Sequence, residues 1–104
     1  MVNMQWVKEN LSEIGYTTCT GKPNNLVKTL HLKDEKLSYE GSFDELQIFL
    51  TSQNFIRIDR GVVVNIDQVS FVDLKKREVN LKDMADILQA TVLTSKMLAK
   101  KLAI

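Results

Sequence analysis

The segment FIRIDRGVVVNI, residues 55–66, constrains the fold more than any other part of the sequence. Side chains alternate between the two faces of a strand, so Arg57 and Asp59 share one face and the isoleucines beside them share the other. Gly61 interrupts this pattern, and glycine permits the positive φ of a turn or a bulge. The β-branched run 62–64 has little polar alternation, which indicates a strand near the middle of a sheet with both faces covered. The segment therefore predicts two strands that meet at the glycine.

The same period-two pattern occurs before and after this segment. Residues 26–40 predict a hairpin, because two alternating runs flank the polar turn Lys33, Asp34 and Glu35. Further strands are predicted over residues 69–74 and 78–81, on either side of the basic turn 75–77. Most of the chain is thus expected to be antiparallel strands joined by short turns.

Two stretches have helical rather than strand spacing. Ser42 followed by Glu45 is a capping-box pattern, and apolar residues then recur three and four apart, which predicts a helix near residues 42–52. A last helix is predicted to begin at Thr94 or Ser95 and to cover residues 95–103. The fold class that follows is β-rich α+β.

Length limits the number of domains, and composition indicates the cellular compartment. A chain of 104 residues has room for one hydrophobic core, so residues 1–104 are predicted to form a single domain. With 44% hydrophobic and 26% charged residues, the composition is that of a folded globular protein. No apolar run reaches the roughly 18 residues of a membrane span, and no signal peptide is recognisable. A cytoplasmic protein without a membrane partner is expected, and the single Cys19 is consistent with this.

Catalysis, metal binding and cofactor binding find little support in the residue types. His31 is the only histidine and lies within a strand pattern, where a structural role is more common than a catalytic one. One cysteine and one histidine cannot supply the clustered ligands of a zinc site. There is no glycine-rich phosphate loop or nucleotide fingerprint. We therefore expect no enzyme activity, no cofactor, no metal and no small-molecule substrate.

Nucleic-acid binding rests on where the charges lie, because the net charge is only +1. Arg60 ends a predicted strand immediately before Gly61, where an exposed guanidinium can reach a guanine edge or a phosphate. The alternative is that Arg60 is simply solvated and that Arg57 and Asp59 form a weak surface ion pair. Spacing alone favours this alternative.

The order of motifs along the chain favours DNA binding instead. Residues 55–67 resemble the signature of the LytTR family of bacterial DNA-binding domains, broadly Phe-x-Arg-x-His-Arg-Ser followed by an aliphatic run and Asn. Phe55, Arg57, Arg60, Val64 and Asn65 match it. The likeness extends over roughly residues 10–103, through the helix from residue 42, the loop and strand GKPNNLVKTLHL, and the lysine-rich last helix.

The resemblance implies small packed antiparallel sheets in a domain that contacts double-stranded DNA through loops entering successive major grooves. It implies a sequence-specific transcription regulator, of the kind found in response regulators. Two copies on direct-repeat sites are plausible for such a family. The rival interpretation is a β-rich protein–protein interaction module without DNA binding.

Carried over residue by residue, the resemblance makes Arg60 the base or phosphate contact from the central loop. Lys22, Asn24 and Asn25 fall in the loop that the family uses for another groove, where Asn suits adenine and Lys suits guanine or phosphate. Arg77 resembles a backbone contact. Ser95 and Lys96 resemble the Ser-Arg pair that opens the family's last helix, next to a phosphate.

The sequence departs from the family pattern in three places. Asp59 stands where the family commonly has His, and Gly61 stands where it has Ser. The segment between residues 82 and 95 is longer than usual, so Thr91 can replace Ser95 as the residue that opens the last helix. In that case Met97 or Leu93 replaces an arginine contact.

Overall fold

The computed structural model describes residues 1–103. Three α-helices and eight strands follow one another in these residues, with single 3-10 turns at Leu11–Glu13 and Ile66–Gln68. In chain order they are α1 Met4–Glu9, β1 Ile14–Lys22, β2 Asn25–Leu32, β3 Lys36–Ser38, α2 Phe43–Thr51, β4 Phe55–Asp59, β5 Val62–Asn65, β6 Val69–Asp73, β7 Glu78–Leu81, β8 Ile87–Gln89 and α3 Val92–Leu102.

The strands form two antiparallel sheets. The larger has five strands in the order β3-β2-β1-β5-β4, and the smaller has three in the order β6-β7-β8. The predicted β-rich α+β class with small antiparallel sheets is confirmed. The hairpin predicted for residues 26–40 corresponds to β2 and β3. Helix α1 and the strands β1 and β8 are additional elements that the sequence patterns did not reveal.

Helix α2 forms where the capping pattern predicted it. The Ser42 hydroxyl accepts a hydrogen bond from the Glu45 backbone N–H at 3.3 Å. Asp44 and Glu45 lie in the first turn, where the helix dipole favours negative charge. Leu46 and Leu50 are fully buried, so the apolar stripe of the helix packs on the large sheet.

Strand β5 separates two hydrophobic cores. Val63 belongs to the core beneath α2, together with Leu46 and Leu50, whereas Val64 belongs to the core beneath α3, together with Ile58. Both valines are completely buried, which confirms that the β-branched run is covered on both faces. Because β5 lies between β1 and β4, the segment that follows Gly61 is held from both sides.

A polar contact links β1 to the segment that directly precedes β8. The Tyr16 hydroxyl donates to the Asp86 carboxylate at 2.9 Å, and the Tyr16 ring stacks on His31 with centroids 4.0 Å apart. His31 Nε2 lies 2.8 Å from the Thr18 hydroxyl. Burial is the main reason that the pKa of His31 is lowered, with Lys36 adding to the effect. The only histidine therefore has structural contacts.

Candidate nucleic-acid interface

The turn between β4 and β5 presents Arg60 to solvent. The Arg60 backbone N–H donates to the Asp59 carboxylate at 2.8 Å, and Arg57 Nε donates to the Asp59 carbonyl oxygen at 3.4 Å. Gly61 has φ +72°, in the region that favours glycine. Asp59 therefore stabilises the turn by accepting these hydrogen bonds, and the Arg60 side chain is exposed.

Strand β1 holds one side of this turn. The Cys19 backbone N–H donates to the Gly61 carbonyl at 2.8 Å. A Cβ added at Gly61 would lie 2.5 Å from the Cys19 carbonyl oxygen, so a larger residue has no room there. The departure from the serine of the family pattern is thus explained by a close approach of two backbones.

The hairpin of β1 and β2 continues past this contact. Lys22 pairs with Asn25, three residues beyond Cys19, with Pro23 and Asn24 at the tip. At about 3.3 Å per residue, the tip projects roughly 10 Å beyond Gly61. Lys22, Asn24 and Asn25 are all exposed. The structure therefore places the three predicted residues of the second loop together at a protruding tip.

The start of α3 holds the other side of the turn. Thr91 caps the helix, since its hydroxyl accepts from the Thr94 backbone N–H at 3.1 Å. The Thr91 backbone N–H and the Thr94 hydroxyl both donate to the Ile58 carbonyl, at 3.4 and 3.0 Å. Ile58 is two residues before Arg60, so the first turn of α3 lies beside the arginine turn.

Arg77 lies next to the same helix start. Its φ is +55°, as in a tight turn, and its carbonyl accepts from the Ala90 backbone N–H at 2.9 Å. Ala90 directly precedes the Thr91 cap. Arg77 is exposed, so its charge adds to that of Arg60 along the same side of the domain.

The predicted opening of the last helix at Thr94 or Ser95 is wrong, and the alternative opening at Thr91 is confirmed. Helix α3 begins at Val92, because the Thr91 and Thr94 pair forms a reciprocal cap one turn earlier. Ser95 is 1% exposed and its hydroxyl donates to the Val92 carbonyl at 2.9 Å, so it faces the protein interior. Lys96 is exposed but lies in the second turn. The threonines spaced three apart were the sequence signal for the true start.

These segments form one surface, which we call the loop edge. Backbone hydrogen bonds connect them in series, from the β1 hairpin to Gly61, from Ile58 to Thr91 and from Ala90 to Arg77. The loop edge consists of residues 22–25, 59–61, 77 and 91–96. A cleft of about 540 Å³ adjoins it, lined by the hairpin, α2, Arg57 and Arg60. Exposed cations on protruding loops can bind a polyanion.

Other kinds of site have less support in the described residues. Among residues 1–103 there is no group of three or more His, Cys, Asp or Glu side chains that could hold a metal ion. Over the same residues, the helices are too short or too polar to cross a membrane.

Comparison with known proteins gives a consistent family and fold. The family model described as the LytTr DNA-binding domain matches residues 4–103. Among solved structures, the chain is similar to the LytTr DNA-binding domain of a protein described as a methyl-accepting/DNA response regulator from Bacillus cereus. The TM-score is 0.64 at 16% identity, over 89% of this chain and 84% of that one. No curated protein matches the chain.

Proposed function

The chain belongs to the LytTR family of DNA-binding domains, and from this we propose that it binds double-stranded DNA sequence-specifically through the loop edge, as the DNA-reading part of a bacterial transcription regulator. The observation that carries the proposal is the series of backbone hydrogen bonds that brings Arg60, Arg77 and the Lys22 hairpin to one side. These residues are far apart in sequence. A shared edge lets them contact one duplex together.

The geometry supports different roles for the loops. Arg60 sits on a turn that hydrogen bonds join to two neighbouring elements, which suits bidentate reading of guanine O6 and N7 in a major groove. The hairpin tip carries Asn24 and Asn25 for adenine and Lys22 for a phosphate or guanine. Because the tip projects beyond the Arg60 turn, it reaches toward a neighbouring groove.

The remaining cations suit the sugar–phosphate backbone. Arg77 is presented by a tight turn beside the start of α3, and Lys96 lies one turn along that helix. Such contacts position a protein on the duplex without reading bases. Ser95 has no part in the proposed contact, because its hydroxyl is buried and bonded to the Val92 carbonyl.

Family membership favours DNA binding over a protein–protein interaction module and over catalysis. An interaction module without DNA binding would not need exposed cations gathered at one edge. The LytTR family is described by its DNA binding rather than by catalysis, and the only histidine is engaged with Tyr16 and Thr18.

The proposal is tested by selection from a random duplex library, followed by affinity measurements at several salt concentrations. We expect an enriched sequence, and log affinity should fall with log salt by about 0.9 for each phosphate neutralised. A repeated half-site in the selected pool would indicate two copies on a direct repeat. No enrichment together with a flat salt dependence would refute DNA binding.

The role of Arg60 is tested by Arg60→Ala against a control of equal charge. Lys33→Ala is suitable, because Lys33 is exposed and follows the far end of β2, about 26 Å from the hairpin tip at roughly 3.3 Å per residue. We expect Arg60→Ala to cost about 1 to 3 kcal/mol and to relax the sequence preference. The control should change little. An equal loss for both variants would mean that only overall charge matters.

A further inference from the structure

The first turn of α3 exposes apolar side chains where a basic contact would be expected. Leu93 is 70% exposed and Val92 is 49% exposed. The helix buries Ser95 and Leu98. At about 100° per residue, Leu93 lies roughly 140° to 160° away from these two, on the side facing solvent. A large aliphatic side chain is therefore held outside both cores.

The position of Leu93 places it on the loop edge. Helical side chains tilt toward the N-terminus of their helix, so Leu93 leans toward the end of α3 that is bonded to Ile58. Arg60 follows Ile58 by two residues, and the Arg77 turn is bonded to the residue before the Thr91 cap. Leu93 thus lies at a helix start that is hydrogen-bonded on one side to the strand before Arg60 and on the other to the Arg77 turn.

The chemistry of the duplex offers one strongly apolar group at the base edges. Phosphates and sugars present oxygen, which leucine cannot bond, whereas thymine presents a 5-methyl group in the major groove. We propose that Leu93, flanked by Val92, packs on a thymine methyl and so makes an A·T pair a preferred base pair beside the one contacted by Arg60. This inference rests on the proposed function and adds a specificity-determining residue to it.

The test uses the duplex selected for the wild-type protein. Each thymine in turn is replaced by deoxyuridine, which lacks only the 5-methyl group and keeps every hydrogen-bonding group. At one or two positions we expect the wild-type affinity to fall about threefold to fivefold, as for loss of one buried methyl. Leu93→Ala should bind the parent duplex more weakly and lose this difference between thymine and uracil.

Controls separate this inference from folding and from DNA binding itself. Ile48→Ala truncates an apolar residue of matched exposure, 72%, in α2 and outside the loop edge, and should keep the thymine preference. Thermal unfolding of each variant should match wild type, because these side chains lie outside the cores. If wild type binds the site but no uracil substitution weakens it, the inference fails while the proposed function stands. An unchanged uracil penalty in Leu93→Ala, or its loss in Ile48→Ala alone, would also refute the role of Leu93.

Discussion

Replacing Gly61 by alanine should destabilise the domain at the point where the loop edge is assembled. At φ +72° an L-residue costs about 1 to 2 kcal/mol more than glycine. The new Cβ would also lie 2.5 Å from the Cys19 carbonyl oxygen, so one backbone must move. Movement weakens the bond from the Cys19 N–H to the Gly61 carbonyl, worth about 0.5 to 1.5 kcal/mol. Together these give a loss of roughly 1.5 to 3.5 kcal/mol.

Urea unfolding measures this loss directly. With a slope of about 2 kcal/mol per molar, the midpoint of Gly61→Ala should fall by roughly 0.8 to 1.8 M. Gly15→Ala is the matched control, because its added Cβ would meet the flexible Met84 side chain at 2.6 Å, and Gly15 does not have a left-handed φ. We expect the control to lose less than about 1 kcal/mol. If Gly61→Ala were no less stable than Gly15→Ala, the argument from backbone conformation and close approach would be refuted.

Two further predictions concern the cap of α3 and the buried histidine. Thr91→Ala should lower the free energy of unfolding by about 1 kcal/mol, because the first turn of α3 loses its side-chain acceptor. Thr91→Ser keeps a hydroxyl and should retain most of this stability. Equal stability of the two variants in urea unfolding would contradict the cap. Lowering the pH below about 6.5 should destabilise the wild type, because burial lowers the pKa of His31 and the unfolded chain then binds a proton that the folded chain does not. Urea unfolding at pH 7.5 and 5.0 should show a larger drop for wild type than for His31→Gln, and equal drops would count against the buried ring.

The local features of the fold could be read from the sequence. Ser42 and Glu45 specify the start of α2 through contacts within one helical turn, and the structure has that cap. The valines after Gly61 indicated a strand covered on both faces, because a β-branched run without polar alternation is typical of such strands. Strand β8 escaped prediction, because it has only three residues and its pairing with β7 is a tertiary contact.

The start of the last helix shows why local patterns were insufficient for the candidate site. Ser95 is a good capping residue by type, and so is Thr91. The Thr91 backbone N–H and the Thr94 hydroxyl have a common acceptor in the Ile58 carbonyl, which is more than thirty residues away in sequence. This long-range contact is made by the same residues that form the cap at Thr91. Because the helix starts there, Ser95 faces the core.

The sequence by itself determined the family, the β-rich class and the identity of the exposed cations, because these depend on residue types and short spacings. Only the tertiary structure decided that Arg60, Arg77 and the Lys22 hairpin share one edge, since the backbone hydrogen bonds that join them connect residues distant along the chain. The structure also shows that the Asp59 carboxylate stabilises the turn, and that Gly61 leaves room for the Cys19 backbone. The residue pattern of FIRIDRGVVVNI thus predicts its two strands. The position of its turn beside α3 depends instead on tertiary packing.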